Sequence, residues 1–200
     1  MAFDSVQPRR LILAAAIALV VVSTGCGGPP VGDAAVEPEA LPRWVRIVPV
    51  ESDGRSWYVG AVSMATSSDE AVLAARLDAL SQISRSARER FAELITRANA
   101  GSGVTITPIE RFQLSDAGRE MFAARLEDRV VQEDVYLKPC AGATGTICQA
   151  FVLVSLPTEA WDGEMHETLQ ELRRQETEAG RVLTAEYLDW MIRHQERSSR

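Results

Sequence analysis

The chain has 200 residues, 46% of them hydrophobic and 24% charged, with a formal net charge of −7 at pH 7. Those fractions fit a globular protein with one core and appendages, and do not fit a disordered or fibrous chain. The acid excess argues against nucleic acid as a partner and against polybasic binding to anionic lipid.

The first 26 residues fall into three parts. Met1 to Arg10 ends in the basic pair Arg9-Arg10, and Leu11 to Val22 is an unbroken apolar run of 12 residues. Ser23-Thr24-Gly25 then supplies small residues immediately before Cys26. This is the layout of a secretory signal peptide over residues 1–25. The run falls short of the about 20 residues that a membrane-spanning helix needs. Ser23-Thr24-Gly25-Cys26 resembles the lipobox of bacterial lipoproteins, with Ser23 where Leu is usual. The resemblance implies that Cys26 is acylated and becomes the new N-terminus, which makes the membrane a partner. Two acyl chains, at about 0.8 kcal/mol per buried methylene, hold a protein stably at a bilayer. Gly27 in place of Asp after the Cys implies, by the same resemblance, the outer membrane facing the periplasm. The alternative is an ordinary cleaved signal peptide with an incidental Cys. Loss of residues 1–25, which carry Arg9, Arg10 and Asp4, takes the net charge to −8.

Residues 26–43 are rich in Gly, Pro and Ala and read as a flexible tether, with an end-to-end distance of roughly 20–25 Å. An α/β domain is expected over 44–157. Trp44 to Val50 mixes aromatic and β-branched residues around Pro49, which suits an edge strand or extended arm. Asp53-Gly54 marks a turn. Ser56 to Met64 is a strand in which Gly60 signals a close backbone approach or a bulge. Ser67 and Glu70 form a capping box for a long helix that Gly101 closes. Leu73, Leu77, Leu80, Ile83, Ala87, Phe91, Leu94 and Ala98 recur at spacings of 3 and 4 and form its apolar face. Ala71, Ala75 and Ala79 would let the helix sit close against a sheet. Arg76, Arg85, Arg88, Arg90 and Glu93 fall mostly on its solvated side.

Gly103 to Leu114 reads as a strand ended near Pro108, with Ser115-Asp116 capping a shorter helix to about Asp128. Val130 to Cys140 and Ile147 to Leu156 form a hairpin, and the second arm is apolar enough to be a central strand. With Cys26 lipidated, Cys140 and Cys148 are left to pair as a disulfide in an oxidising compartment. A zinc site is the rival, but the only histidines, His166 and His194, are distant in sequence. Residues 158–200 form a C-terminal helical extension. Its stripe is Trp161, Met165, Leu169, Leu172, Ala179, Leu183, Tyr187 and Trp190, and Glu176 and Gly180 leave either one bent helix or two. The first half packs on the domain. The second half, Arg181 to Arg200, either follows it or projects to pair with a protein partner or a second copy.

The chemistry for catalysis is missing. There is no G-x-S-x-G elbow, phosphate loop or dinucleotide fingerprint, and Glu127-Asp128 and Glu133-Asp134 read as solvated rims. The expectation is no enzyme, no cofactor and no metal. Trp57, Tyr58, Tyr187 and Trp190 are candidates for a binding surface, although strand alternation sends one of Trp57 and Tyr58 into the core.

Pro42-Arg43-Trp44, Trp57-Tyr58-Val59-Gly60-Ala61, and Ala71, Ala75 and Ala79 on the following helix resemble the Lpp-twenty lipoprotein family of bacterial envelopes. They are also similar to the N-terminal domain of flagellar assembly protein T, and Phe151 to Leu156 fits the family's last conserved block. The resemblance runs over roughly Leu41 to Pro157. It implies a small α/β domain with a long helix on a mixed or antiparallel sheet, and no catalytic residues. The fold expected is α+β: a small mixed or antiparallel sheet, one long and one shorter helix, and a long C-terminal helix. The function expected is that of a lipid-anchored envelope protein, a structural or interaction module in the assembly of an envelope machine. The alternative is a periplasmic carrier or binder of an apolar ligand or cell-wall fragment.

Overall fold

A computed structural model describes residues 41–46, 51–141 and 145–198. The signal peptide, Cys26 and the tether up to residue 40 lie outside the described residues, as do residues 47–50 of the expected first strand. The elements in chain order are α1 (Arg43–Arg46), β1 (Glu51–Ser52), β2 (Arg55–Ala65), α2 (Ser68–Gly101) and α3 (Pro108–Glu127). They continue with β3 (Val131–Pro139), β4 (Ile147–Pro157), α4 (Thr158–Glu178) and α5 (Val182–Ser198). The class is α+β. The four strands lie in the order β1-β2-β4-β3, and every pairing is antiparallel. β4 is central, as its apolar run predicts. Trp44 starts no strand: it sits in the single turn of α1, and its indole Nε1 donates to Asp134 Oδ2 at 2.8 Å.

Strand alternation divides the sheet. Ala150, Val152, Val154 and Leu156 point to the helical side and are fully buried. They meet Ile83, Ala87 and Phe91 of α2, Phe122 and Leu126 of α3, and Trp161 and Leu169 of α4 in one core. α2 comes closest at Gly60, where an added Cβ would stand 1.8 Å from the Ala75 carbonyl oxygen. The close approach read from Gly60 is therefore what the strand makes. Ala71, Ala75 and Ala79 line the contact with no exposed surface. Among the described residues β1 covers the first residues of β2 alone, and further partners lie along that edge. α2 supplies them: Ala61 N–H donates to Asp78 Oδ2 at 3.0 Å, and Gln82 Nε2 donates to the Val59 carbonyl at 2.9 Å.

The same contact corrects the apolar face assigned to α2. Leu73 is 60% and Leu77 56% exposed. A helix seated on a glycine can present only small side chains to the strand, so the alanine stripe takes the inner position and turns the leucines outward. The N-terminal cap is as expected on one side, with Glu70 N–H donating to Ser67 Oγ at 3.2 Å. The Glu70 carboxylate, however, accepts from Thr66 N–H. Gly101 is the last helical residue, and Gly103 (φ 68°) makes the turn assigned to it. The strand expected from Gly103 is absent. Thr107 and Glu110 form a complete capping box with Pro108 in the first turn, so α3 starts there and Ser115-Asp116 lies inside it.

The C-terminal residues do not form an extension. Gly180 (φ 72°) ends α4, and α5 folds back along it, with Arg173 paired to Asp189 and Gln195 Nε2 donating to the Asp162 carbonyl at 2.9 Å. Tyr187, Leu188 and Met191 are fully buried. The Tyr187 hydroxyl donates to the Ile95 carbonyl at 2.9 Å, with Asn99 Oδ1 also at 2.9 Å. α5 therefore does not project: Tyr187, Leu188 and Met191 close the core over α2 and α4, while Leu183, counted in the same stripe, is 56% exposed.

Candidate functional site

Cys140 follows β3 directly, Cys148 lies in β4, and the two form a disulfide with their Cα atoms 4.9 Å apart. Pro139 pairs with Ile147 and Lys138 with Gln149, so Cys148 is the extra residue of a bulge at the tip of the hairpin. The bond closes a loop with a sequence separation of 8, which restricts the unfolded chain by about 2–3 kcal/mol in the loop-entropy model. Serine at both positions is expected to lower stability by that amount in denaturant unfolding. Reduction of the native chain should have the same effect, and an unchanged midpoint would show that the hairpin holds without it.

The four aromatic residues proposed as a binding surface do not meet. Trp57 lies on the outer sheet face, half-buried, with its indole donating at 3.4 Å to the Ser52 carbonyl. Tyr58 lies on the helical face, where burial raises the pKa of its phenol while a hydrogen bond to Ser86 and the Arg90 charge oppose the rise. Tyr187 is in the core, and burial raises its pKa too. Trp190 packs over Gly101 and stacks on His194 with centroids 3.5 Å apart. Cys26 is outside the described residues.

Sequence reading missed the cleft that gathers side chains from four helices. It has a volume of about 400 Å³. Its floor is Leu94, Phe122, Trp161 and Met165, and its rim carries Arg90, Arg97 and Asp162. Trp161 is the pivot. Its Nε1 donates to Ser56 Oγ at 3.1 Å, its ring meets Phe122 edge-on at 6.1 Å, and the Arg90 guanidinium lies 4.2 Å over its face. The apolar stripe pointed to Trp161, but nothing in sequence joins it to residues 70 positions earlier in α2. Below it, the buried Glu164 accepts from Arg129 Nε at 2.6 Å and lies 3.7 Å from Arg125, which ties α4 to the end of α3. That carboxylate is held by a structural charge pair.

Among the described residues no group of three or more His, Cys, Asp or Glu is placed to hold a metal ion, and no helix is long and apolar enough to cross a membrane. No family model matches the chain, and no curated protein or solved structure matches it either.

Proposed function

We propose that the chain is a lipid-anchored protein of the bacterial envelope, held at the outer membrane through Cys26, whose domain works as a structural or interaction module. The observation that carries the module is the outward leucine stripe of α2. α3 ends level with Ser84, whose hydroxyl donates to Glu127 Oε1 at 2.7 Å. Among the described residues the first four turns of α2 are thus covered on the sheet side alone. Leu73 and Leu77 stand more than half exposed there, and the half-buried Leu80 continues the row. Exposed leucines at spacings of 4 and 3 suit the apolar face of a partner helix. The anchor rests on the three-part leader ending at Cys26, on the likeness to the Lpp-twenty lipoproteins, and on a disulfide suited to an oxidising compartment. The partner assigned above to the C-terminal helix moves to α2, because Tyr187 is spent in the core and Trp190 packs over Gly101.

A photo-crosslinking side chain at Leu77 in the full chain is expected to capture one envelope protein in cells, and the same group at Gln170 is not. Serine at Leu73 should abolish that capture without lowering the melting temperature. Equal capture at both positions would sink the module, and an unmodified Cys26 in the mass spectrum of the mature N-terminus would sink the anchor.

The Trp161 cleft favours a second reading, a carrier of an apolar ligand or cell-wall fragment. Its volume falls in the range of about 300–1,000 Å³ usual for small-molecule sites. Native mass spectrometry should then find a small molecule on the purified chain, and a ligand-free spectrum would remove the carrier.

A further inference from the structure

We infer that the seam between α2 and α3 binds a phosphate group carried on an apolar chain, the chemistry of an anionic phospholipid. Arg85 and Arg88 of α2 and Arg119 of α3 line one cleft of about 450 Å³. Arg119 also lines the next cleft along the seam, of about 320 Å³, together with Arg111, Ile95, Pro108 and Phe112. Arg88 is paired with Glu120 at 3.0 Å. Among the described residues no ion pair engages Arg85, Arg111 or Arg119. The Nε–H groups of Arg111 and Arg119 are buried without a hydrogen-bond partner. The carboxylates facing the seam are Glu89, Asp116 and Glu120. Four guanidiniums against three carboxylates reverse locally the sign of a chain whose net charge is −7.

A guanidinium presents a planar fork of donors that matches phosphate oxygens two at a time. Three such forks around one cleft, two of them outside any ion pair of the described residues, form a cradle for a group with several anionic oxygens. The seam also has direction. Its arginine-rich cleft passes at Arg119 into the one that reaches Phe112, which is 72% exposed, with Ile109 70% exposed in the first turn of the same helix. Arg119 and Phe112 are two turns apart on α3, roughly 10 Å along its axis. A phosphate seated on Arg85, Arg88 and Arg119 would lay an attached apolar chain over Ile95 and Pro108 toward Phe112. Inorganic phosphate could use the cradle but not the apolar end.

The test is calorimetric titration of the full chain in non-ionic detergent with three probes: dihexanoyl phosphatidylglycerol, dihexanoyl phosphatidylcholine and inorganic phosphate. Phosphatidylglycerol is expected to bind saturably and more tightly than the other two. Arg85→Gln combined with Arg119→Gln should weaken it by about tenfold or more, and Phe112→Ser should weaken it without changing the response to inorganic phosphate. Arg85→Gln alone, at an exposed position, supplies a variant whose folding is not in question. Phosphatidylglycerol binding that is absent, or unchanged in the arginine variants, overturns the inference. Equal binding of phosphatidylcholine overturns the anionic headgroup, and equal binding of inorganic phosphate overturns the apolar chain.

Discussion

Alanine in place of Gly60 is expected to destabilise the domain by about 3–5 kcal/mol, the largest effect expected of a methyl group added at any of the described glycines. The added carbon would stand 1.8 Å from the Ala75 carbonyl oxygen and 2.6 Å from the Ala79 amide nitrogen. Both obstacles are backbone atoms of α2, so no side chain can turn aside to make room. The helix would have to lift off the strand as a body. That movement would break the hydrogen bonds from Ala61 to Asp78 and from Gln82 to Val59, and open the contact of three alanines with the sheet. Gly163→Ala is the control, since nothing lies within 4 Å of its added carbon and it sits inside α4. Helix propensity makes that change stabilising by up to about 1 kcal/mol. Denaturant midpoints measured side by side decide the matter. A Gly60→Ala chain as stable as the parent would mean that α2 does not rest on this strand.

Gly118→Ala should come next, at about 2–4 kcal/mol. Its added carbon would meet Phe91 Cζ at 2.0 Å and Cε1 at 2.3 Å. The obstacle here is a side chain, but Phe91 is fully buried between α2 and α3 and has no open space to swing into. The two helices touch because one offers a ring and the other offers nothing. Phe91→Leu alone should cost about 1–2 kcal/mol as a cavity. In the Gly118→Ala background the same substitution should restore part of the loss, because the shorter side chain relieves the clash. The two changes must therefore be strongly non-additive in a double-mutant cycle. Additive losses would show that ring and glycine do not oppose each other.

Both glycines bear on what could be read without coordinates. Gly60 is legible as a close approach or a bulge and Gly180 as a break or a bend, and the α2 boundaries and the β3–β4 hairpin are legible too, because each has a local chemical cause. The assignment of Leu73 and Leu77 to the α2 core failed because two stripes share the helical period there, whereas Leu94 is buried as assigned. Hydrophobicity favours Leu73 and Leu77, whereas the shape of the strand beneath favours Ala71, Ala75 and Ala79, and shape decides at a glycine. The Thr107-Pro108-Ile109-Glu110 signal for α3 was present, but the alternating Val104 and Ile106 just before it suggested a strand. The Trp161 cleft and the arginine seam were illegible for a different reason. Each joins residues about 30 to 100 positions apart, and the charge of Arg85 or Arg119 acquires a meaning only when α3 is laid against α2.

The central position of β4 sets the order in which the molecule can be assembled. Arg55 pairs with Pro157 and Ser56 with Leu156, so half the length of the chain separates strands that lie side by side. Until β4 is delivered, β2 has among the described residues the two of β1 to pair with, while α2 and α3 already carry their own caps and their mutual contact. Assembly in that order would build the helical pair beside an incomplete sheet, which would close late, when the β3–β4 hairpin enters beside β2. Long-range closure of this kind is slow. A polypeptide arrested before residue 147 would hold α2 against a strand whose β4 edge is unpaired, the species most in need of a chaperone.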